Sequence, residues 1–112
     1  MYNSMNSIKF CGTSLKSIRN FPPAVKRAAG HQLDRVQRGL DPVDWRPMPV
    51  IGKGVKEIRI NFNGQFRIPY TIGIEQKILV LHAFEKKSRK TAKRDVKQAK
   101  SALKAISGRW AV

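Results

Sequence analysis

Val55-Lys-Glu-Ile-Arg-Ile-Asn61 and Gln65-Phe-Arg-Ile-Pro-Tyr-Thr71 decide how this chain folds, because both alternate apolar and polar residues with the two-residue period of half-buried strands. Ile58 and Ile60 mark one face of the first segment; Phe66, Ile68, Tyr70 and Ile72 mark one face of the second. Asn63-Gly64 signals a two-residue loop, but that register sets Arg67 across from Ile60 and mixes polar with apolar side chains. A three-residue loop, Phe62-Asn63-Gly64 with the glycine left-handed, pairs Ile60 with Phe66 and Arg59 with Arg67. The faces then agree.

Two cations directly opposite one another destabilise a sheet by a few tenths of a kcal/mol to about 1 kcal/mol. The pair is therefore best understood with an anion between them, either a bound phosphate or Glu57. On this reading Arg67→Ala leaves the fold intact or slightly more stable. A solvated hairpin with weak surface pairs accounts equally well for two arginines alone.

Composition favours the anion. The 112 residues carry 23 Lys and Arg against 7 Asp and Glu, a formal net charge of +16, as polyanion binders do, and nucleic acid is the expected partner. Between Phe84 and Val112, ten basic residues stand against Glu85 and Asp95 alone. Ala92, Val96, Ala99, Leu103 and Ile106 form a modest stripe there, suited to docking on a core rather than to a membrane surface. The length predicts one domain over residues 1–112, able to bury a core without staples. Cys11 reads as a small buried residue ending a first strand. Met1-Tyr-Asn-Ser-Met-Asn6 has no basic flank followed by an apolar core, which predicts a cytoplasmic chain.

Ser7–Cys11 alternates as a short strand, after which Thr13 is placed to cap a brief helix carrying Leu15 and Ile18 and stopping near Asn20. Phe21-Pro22-Pro23 starts a second helix whose stripe of Val25, Ala28, Ala29, Leu33 and Val36 ends at Gly39. His31 beside that stripe carries no assigned chemistry. Residues 41–49, with three prolines, predict an irregular connector with Trp45 and Met48 plugging the core edge. Gly52-Lys53-Gly54 lacks the spacing of a nucleotide loop and reads as a turn.

The run Ile78-Leu-Val-Leu-His-Ala-Phe84 is apolar on both faces, as in a strand at the middle of a sheet. An even loop over residues 73–76 pairs Arg67 with His82, which puts His82 and Phe84 on the arginine face while Leu79, Leu81 and Ala83 face the helices. Arg59, Arg67, His82, Lys86 and Lys87 then converge as a patch, with Phe84 as a base-stacking surface. Lys53, Lys56, Arg89, Lys90, Lys93 and Lys97 complete the expected RNA-binding set. No His, Cys or carboxylate spacing suggests a metal, and no cofactor is expected.

At this point the chain resembles a known family. Asp34-Arg-Val-Gln-Arg-Gly39, Asp44-Trp-Arg-Pro-Met-Pro49, Val55–Arg59, Phe66-Arg67 with Tyr70, and above all Leu81-His-Ala-Phe-Glu-Lys-Lys-Ser-Arg-Lys-Thr91 look like the HigB branch of the RelE/ParE toxin superfamily. The resemblance covers nearly the whole chain. It implies an α+β, RelE-like fold: a mainly antiparallel sheet with two N-terminal helices on one face and a basic C-terminal helix. It also implies a type II toxin that cleaves mRNA on the ribosome, inhibits translation, and is neutralised by a cognate helix-turn-helix antitoxin through which it reaches operator DNA. Arg59, Arg67 and Lys86 or Lys87 correspond to the cleavage-site cations. The implied chemistry is metal-independent attack of the ribose 2′-hydroxyl on the adjacent phosphate.

Two features depart from the pattern. Pro69 interrupts a strand where relatives continue with an aliphatic residue, so its missing N–H must point away from a ladder. A late Tyr or an Asp-Tyr-His cluster is absent, which leaves His82 as one candidate base and an ordinary buried strand histidine as the equal alternative. A ParE-like inhibitor of DNA gyrase and a noncatalytic RNA-binding protein remain open as functions.

Overall fold

The computed structural model describes residues 5–107. Met1–Ser4 of the leader argument and Arg109 of the basic run lie outside the described residues. In chain order the elements are β1 (Ile8–Phe10), α1 (Ser14–Arg19), α2 (Pro23–Gln37), β2 (Trp45–Pro47), β3 (Lys56–Asn61), β4 (Gln65–Ile72), a single 3-10 turn (Ile74–Gln76), β5 (Ile78–Val80), β6 (Phe84–Lys86) and α3 (Lys93–Ile106). The sheet runs β1-β5-β4-β3-β2, with β6 also pairing with β4. Every pairing is antiparallel except β1 with β5. The fold is α+β, as the sequence predicts.

The β3–β4 hairpin has the expected register, Arg59 against Arg67 and Ile60 against Phe66. Its loop differs in one detail: Asn63 takes the left-handed φ of 50°, while Gly64 sits at φ 146°. Asparagine tolerates that region because its short side chain bonds locally. On the Ile58 face, α1, α2 and the turn between them bring Ile18, Phe21, Val25, Leu33 and Val36 onto Ile58, Phe66, Ile68 and Tyr70. Helix α2 begins at Pro23 and ends in a Schellman closure. Gly39, at φ 83°, donates its N–H to Val36 O, and Leu40 N donates to Arg35 O. On the opposite face, α3 lays Ala99 and Ile106 on Leu79, Leu81, Val55 and Met48.

Four expectations are corrected. Thr13 occupies the position before α1, but its hydroxyl does not cap the helix and instead accepts a bond from Gln98 Nε2 at 3.1 Å. The connector over residues 41–49 contains a strand, since Trp45, Arg46 and Pro47 pair with Ile58, Glu57 and Lys56. Pro47 is admissible there because β2 is an edge. The loop after β4 spans 73–77, because Ile72 pairs with Ile78. Finally, Ile78–Phe84 is neither one strand nor the middle one. That place belongs to β4, and the run breaks after Val80.

Pro69 explains the break. A strand residue points its N–H and C=O to the same neighbour, and Pro69 O accepts from Leu81 N at 2.9 Å, so the missing donor faces residues 81–83. Tyr70 pairs with Val80 and Arg67 with Phe84, three steps on β4 against four on the partner. The surplus residue is a bulge beside Pro69.

Candidate functional site

Three rows of directly paired residues lie on the face that α3 leaves partly open. Arg46, Glu57 and Pro69 form the first row; Arg59, Arg67 and Phe84 the second; Asn61, Gln65 and Lys86 the third. Paired residues share a face, so Arg46, Arg59, Arg67 and Lys86 all lie on one side of the sheet.

Arg67 is sealed at the centre, only 2% exposed. Its Nη1 donates to Asn61 Oδ1 at 3.1 Å and to Phe66 O at 2.9 Å, and its Nη2 donates to Gln65 Oε1 at 3.0 Å. Its Nε stands 3.8 Å from Oε1 of Glu57, itself 2% exposed. The anion beside Arg67 is therefore an internal carboxylate, whereas the carboxylate nearest Arg59 is Asp44. Burial pushes the Glu57 carboxyl above its ordinary value, against the pull of Arg67, Arg46, Lys86 and Arg59. Burial likewise lowers Arg67, with Glu57 opposing. Glu57 Oε2 is buried without a hydrogen-bond partner.

Around this pair the accessible cations are arranged. Arg59 has a side chain 35% exposed and stands 4.0 Å from Asp44; its backbone N–H also donates to Asp44 O. Arg46 is half exposed and 3.9 Å from Glu57. Lys86 is lowered from the usual lysine range by partial burial first and then by Arg67 and Arg46. Lys86, Lys87, Ser88 and Arg89 line, with Gln65, a groove of about 500 Å³ beside β6. Lys87 is open to water apart from a 3.8 Å approach to Glu85.

His82 and Phe84 sit differently from the expected patch. The five-residue loop and the bulge shift the register, so Phe84 rather than His82 pairs with Arg67. His82 turns to α3, its Nε2 2.9 Å from Asp95 Oδ1 and its ring stacked on Phe84 at 5.2 Å; its Nδ1 is buried without a partner. Leu79 and Leu81 pack under α3, on the same face as the arginines and not away from them as expected, because Leu79 pairs with Thr71; Ala83 alone turns to the α1–α2 core. Phe84, 8% exposed with one face on His82, offers no open surface for a base.

The remaining residues are spread out. Lys53 and Lys56 line a separate groove of about 530 Å³ with Tyr70, Leu103 and Ser107. Lys56 bonds Asp41 at 2.8 Å and lies over the Trp45 ring at 4.5 Å. Arg89, Lys90, Lys93 and Lys97 are exposed along the loop after β6 and on α3. His31 is exposed, and Cys11 is buried, its thiol raised by burial with Lys9 opposing. Among the described residues no His, Cys, Asp and Glu group of three or more could hold a metal ion, and no helix is long and apolar enough to cross a membrane.

Arg46 escaped the sequence reading, because Pro42, Pro47 and Pro49 disguise a three-residue strand as coil. The available signal was that a proline at the end of an edge strand costs no ladder bond.

No curated protein matches the sequence. A solved structure, the toxin-antitoxin complex RelBE2 from Mycobacterium tuberculosis, matches with a TM-score of 0.50 at 17% identity, over 74% of this chain and 100% of that one. That likeness shows the fold, a RelE-like arrangement of three helices on a mostly antiparallel sheet. The model of the family described as Phage derived protein Gp49-like matches residues 16–104, and the chain belongs to that family.

Proposed function

We propose that the chain is the toxin of a type II toxin–antitoxin pair and that it cleaves mRNA on the ribosome, as the HigB-like motifs imply. The observation that carries this reading is Arg59 held half open, directly opposite a fully buried Arg67, on the same face as Lys86. The similarity of the fold to a protein solved as part of a toxin–antitoxin complex supports an antitoxin as partner; a helix-turn-helix in that antitoxin, with operator DNA reached through it, is what the HigB-like motifs imply. The setting is the cytoplasm.

The geometry divides the roles. Arg59 and Lys86 reach water and stabilise charge on the phosphoryl oxygens as the 2′-oxygen, its proton passing to water, bonds to phosphorus and the P–O5′ bond breaks, the 5′-oxygen leaving with a proton from water, an electrostatic effect of about 3–4 kcal/mol per well-placed donor. Lys87 holds the neighbouring phosphate. Arg67 acts as a positioning residue through Glu57, Asn61 and Gln65. His82 supports Phe84 from beneath, with Asp95 fixing its ring. Metal need not enter, because positioning on the ribosome can lower a barrier by ~7–11 kcal/mol. Lys53, Lys56, Arg89, Lys90, Lys93 and Lys97 contribute diffuse attraction.

The test is to express the wild type and Arg59→Ala at equal level with the antitoxin withdrawn, and to map mRNA 5′ ends. In-frame cuts that vanish in the variant support the reading. Growth arrest with intact mRNA and gyrase-dependent DNA breaks replaces it with the ParE-like function, and RNA binding without growth arrest replaces it with a noncatalytic one.

A further inference from the structure

We propose that Arg46 is an additional backbone-phosphate contact, the outer end of a diagonal track that carries single-stranded RNA across β2, β3, β4 and β6. The inference rests on the RNA reading above and extends it to the length and direction of the bound strand.

The track follows from the register. Arg46 lies in the row of Glu57, Arg59 in the next row along β3, and Lys86 in the row beyond, two strands further over. Each step thus moves across the sheet and along it at once. With strands about 4.8 Å apart and a rise of about 3.4 Å per residue, the Cα positions are roughly 8 Å apart from Arg46 to Arg59 and roughly 12 Å from Arg59 to Lys86. Long side chains span the remaining distances, and the groove of Lys87 and Arg89 continues the line past β6. The buried Glu57–Arg67 pair lies beneath the middle of the track and fixes its floor. The Arg46 side chain approaches Glu57 only at 3.9 Å, makes no hydrogen bond among the described residues, and is half in water.

The same face argues for a polyphosphate over a peptide. An amphipathic peptide needs apolar pockets for its anchors. The exposed large hydrophobic residues among those described are Met5, Leu40, Val43, Val50, Phe62, Ile72 and Ile74, and none belongs to the three rows. Between the cations stand Asn61 and Gln65, whose oxygens are committed to Arg67.

The experiment measures binding of a 2′-O-methyl RNA dodecamer, which has no attacking hydroxyl, by fluorescence anisotropy across a salt series. Arg46→Ala should flatten the slope of log K against log salt by about 0.7, the value for one lost phosphate on a single strand. Arg46→Lys should restore it, and the position of the mRNA cut should stay unchanged in both. A deoxy dodecamer showing the same loss supports contact through phosphate rather than through the sugar. If Arg46→Ala fails to fold, Arg46→Gln carries the same comparison. Wild-type slope and affinity in the variant overturn the proposal while leaving the cleavage reading standing. Wild-type protein without RNA affinity overturns both. Poly-glutamate displacing the RNA at equal charge concentration, with the same Arg46 dependence, assigns the track to an acidic protein and overturns it as well.

Discussion

Under α1 and α2, Ile58, Ile68, Val80 and Tyr70 are closed off from water by one continuous apolar layer. On the opposite face α3 covers only the end built from Leu79, Leu81, Val55 and Met48, and leaves Arg46 and Arg59 reaching solvent around a buried Glu57–Arg67 pair. The first face is held by area, the second by pairing. Apolar burial is non-directional and tolerates repacking, whereas a buried ion pair stabilises only while both partners remain. The open face therefore combines a buried charged floor with solvent-exposed charges above it.

The largest expected effect separates floor from surface. Arg67→Ala removes the only fully buried cation beside Glu57 among the described residues, strands the oxygens of Asn61 and Gln65, and should destabilise the protein by about 3–5 kcal/mol, while Arg59→Ala, at a partly exposed site, should cost under about 1 kcal/mol. Urea unfolding of both variants measures the gap. This reverses the expectation, drawn from like charges facing across strands, that Arg67→Ala is neutral or stabilising. Equal midpoints for the two variants would erase the distinction between floor and surface.

The apolar face gives the next effect. Ile68→Ala, at a side chain with no exposure, should lose about 2–5 kcal/mol through lost transfer energy and a residual cavity. RNA affinity should hold at temperatures where the variant is folded, since Ile68 points away from the cations. A matching loss of affinity in the folded variant would show that the two faces are coupled.

Titration supplies a subtler contrast. Burial raises the Glu57 carboxyl above its ordinary value, so the folded state holds its proton more tightly than the unfolded state. The resulting stability is present below the ordinary carboxyl range and is lost as pH rises through the raised value. Relative to Glu57→Gln, which cannot titrate there, the wild type should lose stability as pH rises through that window. Thermal melts of both proteins across acid to neutral pH measure the difference, and parallel curves would mean that the surrounding cations cancel the effect of burial.

The smallest effect lies away from both faces. Glu75 and Gln76 have φ of 57° and 61°, a primed turn closed by Lys77 N donating to Ile74 O. Gln76→Gly should relieve left-handed strain and stabilise by about 0.5–1 kcal/mol. An unchanged or lowered melting temperature would show that the turn holds both residues there without cost.

Local pattern was enough for the elements whose signal lies within a few residues. The alternation of Ile58-Arg59-Ile60 and Phe66-Arg67-Ile68 fixes the hairpin register, since slipping one residue would turn every apolar side chain to water. The stripes of α2 and α3 and the +16 charge are equally local, because helical period and composition need no partner to be read. Tertiary structure decided the rest. Glu-Gln gives no sign of a primed turn, so the length of the 73–77 loop stayed hidden, and with it the place of His82. The bulge at 81–83 depends on Pro69 arriving beside a strand that is distant in sequence. Arg46 joined the site only because β3 offered an edge for three residues to pair with. The sequence by itself determined which residues are charged and which period each segment obeys; the fold alone determined which charge was buried as the floor and which were left facing water, because burial is a property of the neighbours that close over a residue.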